Sequence, residues 1–183
     1  MNQTESSSTL ASPNHDETVT DHAWISDVFR DFEGPLMGYA SHLVGNRERA
    51  SDIVQDTFVR LCKQSRQQIE PRVRSWLFTV CRNRALDVLK KESRMKTLED
   101  DPGARASERD DPGKRLETAE QADGAKSLIA NLPQRQQEVI RLKIQGGLSY
   151  REISELTGLS VGNVGYLLST ALQSVRHKLA PID

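Results

Sequence analysis

Cysteine is nearly absent. The 183 residues hold two, Cys62 and Cys81, which excludes a disulfide scaffold and a cysteine-built zinc cluster. Both lie on apolar helical faces and are expected to be buried thiols. Aromatic residues make up 5% of the chain and hydrophobic residues 36%, too few for one core built from the whole length, so part of it is expected to stay unpacked. No window approaches the ~18 consecutive apolar residues of a membrane span, so direct membrane insertion is not expected. The first 24 residues have neither a basic start nor an apolar run, which argues against a secretory signal and for a cytoplasmic location. The histidines, His15, His22, His42 and His177, show no metal-ligand spacing. No glycine loop suited to a phosphate and no nucleophile–base pair is suggested. No metal, cofactor, small-molecule substrate or enzymatic activity is therefore expected.

A net excess of charge is also lacking: 25 basic residues face 26 acidic ones, for a net charge of −1. The balance hides a segregation. Residues 1–24 carry −4, residues 25–94 carry +4, residues 95–124 carry −4 and residues 125–183 carry +3. The two acidic segments are poor in large apolar residues, and the second repeats an Asp-Pro-Gly turn at 101–103 and 111–113. They read as a disordered tail, 1–24, and an acidic flexible linker, 95–124. A surface loop of that length within one domain is the less common alternative. The two basic segments, 25–94 and 125–183, read as two small domains.

Both domains show helical periodicity and no strand signal, so the fold class is all-α. In the first, Ile25–Phe32 is one helix, Gly34-Pro35 interrupts it, and a second runs from Pro35 to about Leu43. Asn46 can cap a third from Arg47 to about Lys63, and Pro71 precedes a fourth from Arg72 to about Arg94. Residues 60–94 carry +7, the footprint of a phosphate-binding surface: Arg72, Arg74, Arg82, Lys90, Lys91 and Arg94 are its candidates on the fourth helix. A solvated helix face is the ordinary explanation of such a run, but few acids are available here for intrahelical pairing. The polar stretch Gln64–Pro71 offers Arg66, Gln67 and Gln68 to bases.

In the second domain Leu128, Ile129 and Leu132 close a short helix, and a longer one runs from Pro133 to Gln145, where Gly146-Gly147 ends it. Ser149-Tyr150-Arg151-Glu152 has the form of a capping box, Thr157-Gly158-Leu159 of a tight turn, and Ser160 can cap a last helix. This is the sequence form of a helix-turn-helix, whose second helix would enter a major groove with Ser160, Gly162, Asn163, Tyr166 and Thr170, beside Arg151 of the first. Periodicity alone leaves an ordinary helical hairpin equally open.

Taken together, the two domains resemble bacterial RNA polymerase sigma factors of the extracytoplasmic-function group, which keep sigma regions two and four. Arg49-Ala-Ser-Asp-Ile-Val-Gln-Asp-Thr-Phe58 is similar to the region-two helix that docks on the polymerase clamp. Trp76-Leu-Phe-Thr-Val-Cys-Arg-Asn-Arg-Ala-Leu-Asp87 is similar to the minus-10 helix. Leu132–Val139, Gly147–Ile153 and Leu159–Val164 are similar to region four.

The resemblance implies a specificity subunit whose partners are core RNA polymerase, promoter DNA and an anti-sigma regulator. It implies core-polymerase binding by Asp52, Gln55, Asp56 and Phe58. It implies minus-10 strand capture by Asn83 and Asp87 among the basic residues of the fourth helix, and minus-35 binding by the helix-turn-helix. Trp76 could serve as a stacking platform, although its apolar face favours core packing. The recognition helix departs from the family: Gly165, Leu167 and Thr170 stand where Lys or Arg is usual. The competing reading is a stand-alone helix-turn-helix transcription regulator, which leaves residues 25–94 without a role.

Overall fold

A computed structural model describes residues 15–99 and 123–179, and among them the only regular structure is helical. Residues 1–14 and 100–122, which the composition assigns to tail and linker, lie outside the described residues. The bounds expected for tail and linker, 1–24 and 95–124, are corrected at their edges, where residues 15–24, 95–99 and 123–124 are helical: α1 begins at His15, α4 runs to Glu99 and α5 starts at Asp123.

Helix α1 (His15–Val44) replaces the two helices expected on either side of Gly34-Pro35. Proline inside a helix removes one backbone bond and crowds the preceding turn, at a cost of about 3 kcal/mol. Val28, Leu36, Tyr39, Ala40 and Val44 nonetheless share one buried stripe across the proline. Burying a large apolar side chain contributes about 1.5–3 kcal/mol, so the stripe outweighs the lost bond and the helix continues. Gly45, with φ +69°, ends it. Helix α2 (Arg47–Leu61) starts at Asn46, whose side-chain oxygen accepts from the Arg49 amide at 3.0 Å. Its buried face is Ala50, Ile53, Val54, Phe58 and Leu61, with the Thr57 hydroxyl donating to the Ile53 carbonyl at 2.8 Å.

The stretch expected to be a polar loop contains a short helix, α3 (Arg66–Ile69), and a 3-10 turn over Glu70–Arg72. Arg66 does not reach outward. It pairs with Glu70 at 3.0 Å and lies over the Trp24 ring at 5.6 Å. Helix α4 (Val73–Glu99) buries Leu77, Phe78, Cys81 and Ala85 against α1 and α2. Trp76 is half-buried against this core. Of the two thiols, Cys81 is buried, and burial pushes its pKa up to about 12. Cys62 is exposed, contrary to expectation, because it caps the end of α2, past the last buried residue, Leu61.

The second block holds α5 (Asp123–Ala130), α6 (Gln134–Ile144), α7 (Tyr150–Thr157) and α8 (Val161–Leu179). Val139, Ile140, Leu142, Leu148, Ile153, Val164, Leu168 and Ala171 close its core. Gly158, with φ +75°, makes the turn between α7 and α8. The expected capping box is present: the Ser149 amide donates to Glu152 at 2.8 Å and the Glu152 amide donates to the Ser149 hydroxyl at 3.2 Å.

The two blocks pack on each other, which neither periodicity nor charge foretells. The Gly146-Gly147 pair does more than end α6. A Cβ at Gly146 would sit 3.2 Å from the Phe78 ring and 2.6 Å from the Leu142 carbonyl oxygen. One at Gly147, whose φ is +62°, would sit 2.6 Å from Arg74 Nη1. At Gly146 the backbone of α6 bars a side chain, with the Phe78 ring of α4 close behind; at Gly147 the bar is the positive φ, since the end of Arg74 could swing aside.

Glu152 yields a pH test. Burial raises its pKa, but bonds from the Ser149 amide and hydroxyl and from the Ser75 hydroxyl, with the Arg74 charge, outweigh it and hold the carboxyl below its ordinary value. A depressed carboxyl contributes stability above its unfolded pKa and loses it as pH falls through the folded one. Urea unfolding of wild type and Glu152→Gln should therefore differ most near pH 7, with the gap closing toward pH 3; a pH-independent gap contradicts this account.

Candidate nucleic-acid and polymerase interfaces

Helix α4 has two faces of different chemistry. Opposite its buried residues, Asn83, Asp87, Lys90, Lys91 and Arg94 are all exposed, at i, i+4, i+7, i+8 and i+11 of one helix. Five side chains thus share one outward stripe. Arg72, at the entry to the helix, is exposed as well. Among the described residues, no ion pair engages Arg72, Lys90, Lys91 or Arg94. The stripe offers free cations beside one amide and one carboxylate, which suits phosphates and unstacked base edges together.

Two arginines expected on that surface are turned elsewhere. Arg82 Nε donates to Glu138 of α6 at 2.8 Å, and both side chains are mostly buried, 19% and 18% exposed. Arg74 donates to the Gly147 carbonyl at 3.3 Å and lies over the Phe32 ring at 5.8 Å. Arg84, which the sequence does not single out, pairs with Asp56 of α2 at 3.2 Å, and Arg49 pairs with Glu92 at 2.6 Å. The latter two bridges tie α2 to α4.

The α2 face expected to meet the polymerase is brought together only in part. Asp52 and Gln55 are exposed. Asp56 is half-buried and holds Arg60 at 3.1 Å as well as Arg84, so its charge is already spent within the molecule. Phe58 is corrected to a core position: it is 6% exposed, and its ring lies 4.7 Å from that of Phe29, tilted to it by 51°. The apolar side chains that stand out on α1 and α2 are Phe29 and Val59, 43% and 47% exposed. The apolar periodicity of α2 already puts Phe58 on the inward stripe with Ile53, Val54 and Leu61 and leaves Val59 off it; only the family resemblance placed Phe58 at the polymerase interface.

In the helix-turn-helix, Arg151, Ser160, Gly162, Asn163 and Tyr166 are exposed and Thr170 is half-buried. The Ser160 hydroxyl accepts from the Asn163 amide at 3.2 Å, so it caps α8. The Thr170 hydroxyl donates to the Tyr166 carbonyl at 2.9 Å. That leaves Arg151, Asn163 and Tyr166, the last 67% exposed, as the side chains with uncommitted outward groups. Nothing in the packing demands Gly165, where an added Cβ would meet Tyr150 only at 3.7 Å. Tyr39, Glu138 and Gly147 are the polar partners that sequence reasoning missed: Glu138 lies 56 and 99 residues from the groups it joins, beyond any local pattern.

Among the described residues, no group of three or more His, Cys, Asp or Glu is placed to hold a metal, and no helix is long and apolar enough to cross a membrane.

Comparison with known proteins gives this arrangement its context. Residues 28–95 match the family model for Sigma-70 region 2, and residues 125–175 that for Sigma-70, region 4. The ECF RNA polymerase sigma factor EcfG of Rhodopseudomonas palustris is 30% identical over 131 residues, covering 70% of each chain. The RNA polymerase sigma factor SigZ of Bacillus subtilis is 28% identical over 137 residues, covering 74% of this chain and 76% of its own. Among solved structures, the sigma factor RpoE of Bartonella quintana, in complex with the anti-sigma factor NepR, shares the fold at a TM-score of 0.56 and 21% identity. That match covers 86% of this chain and 96% of the other. Two family regions in sequence order, each on one of the two packed helical blocks, leave one assignment: the chain belongs to the extracytoplasmic-function group of RNA polymerase sigma factors.

Proposed function

We propose that this sigma factor divides its work between three exposed surfaces. The α2 face with Asp52 and Gln55, extended by Phe29 and Val59, docks on core RNA polymerase. The outward stripe of α4 captures the unpaired minus-10 strand, with Asn83 and Asp87 on base edges and Arg72, Lys90, Lys91 and Arg94 on phosphates. Arg151, Asn163 and Tyr166 meet the minus-35 duplex. The chain acts in the cytoplasm as a specificity subunit and not as an enzyme. The Bartonella neighbour was solved with an anti-sigma factor bound, which supports a regulator of that kind as a further partner. The observation that carries the reading is the α4 stripe: an amide and a carboxylate four residues apart, flanked by exposed cations free of ion pairs among the described residues. A stand-alone regulator would have no use for it.

Three measurements test these surfaces. Asp52→Arg should weaken binding to core polymerase about tenfold, or 1.4 kcal/mol, with the helical signal unchanged. Asp56→Arg is the poorer probe, since it would set a third guanidinium beside Arg60 and Arg84. Unaltered affinity of Asp52→Arg for core would remove the α2 face from the interface.

On DNA, Asn83→Ala should impair opening of a matched promoter, by roughly 1–3 kcal/mol if the base contact is bidentate, and spare scrambled sequences. Lys90→Ala should weaken both alike and reduce the salt slope by about one. If Asn83→Ala opens promoters normally, the strand assignment is wrong.

In the recognition helix, Gly165→Lys should add a phosphate contact, steepening the salt dependence of minus-35 duplex binding by about one. It should also stabilise α8 by a few tenths of a kcal/mol to about 1 kcal/mol, since lysine is the better helix former. A salt slope unchanged by the new cation would place α8 away from the duplex.

A further inference from the structure

Guanine is read in a major groove by the fork of arginine or the ammonium of lysine, which reach its O6 and N7 together. Helix α8 presents neither at its leading end. Between Val161 and Thr170 there is no Lys or Arg, and Arg176 lies roughly 20 Å further along the axis than Asn163, at 1.5 Å per residue. Arg151 is exposed, but it sits in the first turn of α7, the helix that crosses the backbone in this motif, where it meets a phosphate. What α8 does present is an amide and an aromatic ring. Asn163 and Tyr166 are exposed, three residues apart on one side of the helix. Ser160 caps the helix through the Asn163 backbone amide, which leaves the Asn163 side chain without a partner among the described residues. The Tyr166 ring is 67% exposed.

The residues around this pair are small: Gly162 and Gly165 adjoin it, and Ser169 follows one turn on. Packing requires neither glycine. A Cβ at Gly162 would meet nothing within 4 Å, and one at Gly165 only the Tyr150 ring at 3.7 Å. Both weaken the helix as a helix, and no neighbour in the fold gains by them. A groove does gain. A helix with full side chains is about 10–12 Å across and a major groove about 12 Å wide, so a helix with bare positions on its outward side seats deeper. Depth is what asparagine needs, because its amide stands one methylene from the backbone where the arginine fork stands three. Three residues also span about 4.5 Å of axis, close to the ~3.4 Å step of a duplex, so the two side chains face neighbouring base pairs.

We propose that α8 reads two neighbouring A·T pairs and no guanine: the Asn163 amide pairs with N7 and N6 of an adenine, and the Tyr166 ring packs on the C5-methyl of a thymine in the next pair. The assignment rests on α8 being the helix that meets the minus-35 duplex. Its chemistry is complementarity of edges. The asparagine amide carries one acceptor and a donor group, which match the amino group and N7 of adenine. Guanine shows two acceptors on the same edge, so the amide satisfies it with its donor alone. The thymine methyl is the apolar feature of the major groove, and Tyr166 brings the ring that covers it. Base choice is thereby given to α8, while attraction to phosphates is left to Arg151 and to α4.

The test uses the full chain assembled with core RNA polymerase and a pool of duplex promoters whose minus-35 block is randomised upstream of a minus-10 element that the assembly opens. Selection for binding should enrich adjacent A·T pairs. Asn163→Arg should change the adenine to guanine at one of them, and Tyr166→Ala should erase the choice of thymine at its neighbour. Both positions are exposed, so neither change disturbs the core. On the selected duplex, 7-deazaadenine, which lacks N7, should weaken the wild-type assembly about tenfold and the Asn163→Ala assembly not at all. Uracil in place of the thymine should weaken wild type about fourfold, the value of one buried methyl group, and leave Tyr166→Ala unmoved. Selected G·C pairs that change in Asn163→Arg or Tyr166→Ala overturn the base assignment while keeping α8 on the duplex. A selected A·T element that neither variant and neither base analogue alters is read through duplex shape, which overturns the direct contacts. A block left unselected by wild type and by both variants takes α8 off the duplex, and the minus-35 reading fails together with the base assignment.

Discussion

Helix α4 must satisfy two incompatible environments along a single rod of 27 residues. One side has to disappear into a core with α1 and α2, and the other has to keep cations in water. Leu77, Phe78, Cys81 and Ala85 meet the first demand, and Asn83, Asp87, Lys90, Lys91 and Arg94 the second. The helical period keeps these sets apart. Much of the remaining architecture follows from holding this one helix still. Arg49 reaches Glu92, Asp56 takes Arg84, and the glycine pair after α6 lets region four lie flat on its flank. An anionic strand binding the exposed stripe would pull on a helix braced on three sides.

The elements were legible where chemistry is local. Asn46 as a cap, the Ser149–Glu152 box, the left-handed Gly158 and the buried stripes of α2, α4 and α8 all depend on residues within one or two turns. Pro35 misled because its penalty is local and the force overriding it is tertiary: five apolar residues across the break bury on the same neighbours. Cys62 misled because an apolar face ends where its partner helix ends, and no periodicity marks that point. The exposed half of the candidate site was legible for the same reason the core was, since five polar residues at helical spacing share a stripe. Its tied half was not. Arg82 looks in sequence like Lys90, and only a carboxylate 56 residues away tells them apart.

The two candidate DNA surfaces differ in what they can read. On α4, cations, an amide and a carboxylate are interleaved, so backbone attraction and base discrimination come from one stripe. On α8, the outward face from Val161 to Thr170 has no Lys or Arg, and Tyr166 is its most exposed large side chain. A surface of that kind contributes shape and apolar contact but little counterion release. Of the two candidate surfaces, the one on α4 therefore holds the greater electrostatic attraction for an anionic strand.

The contact between the blocks uses charge differently. There two carboxylates, Glu138 and Glu152, face two arginines, Arg82 and Arg74, so its cations are answered within the molecule rather than left to solvent. An ion pair, a glutamine oxygen with no partner among the described residues and two glycines thus hold the two blocks in one register.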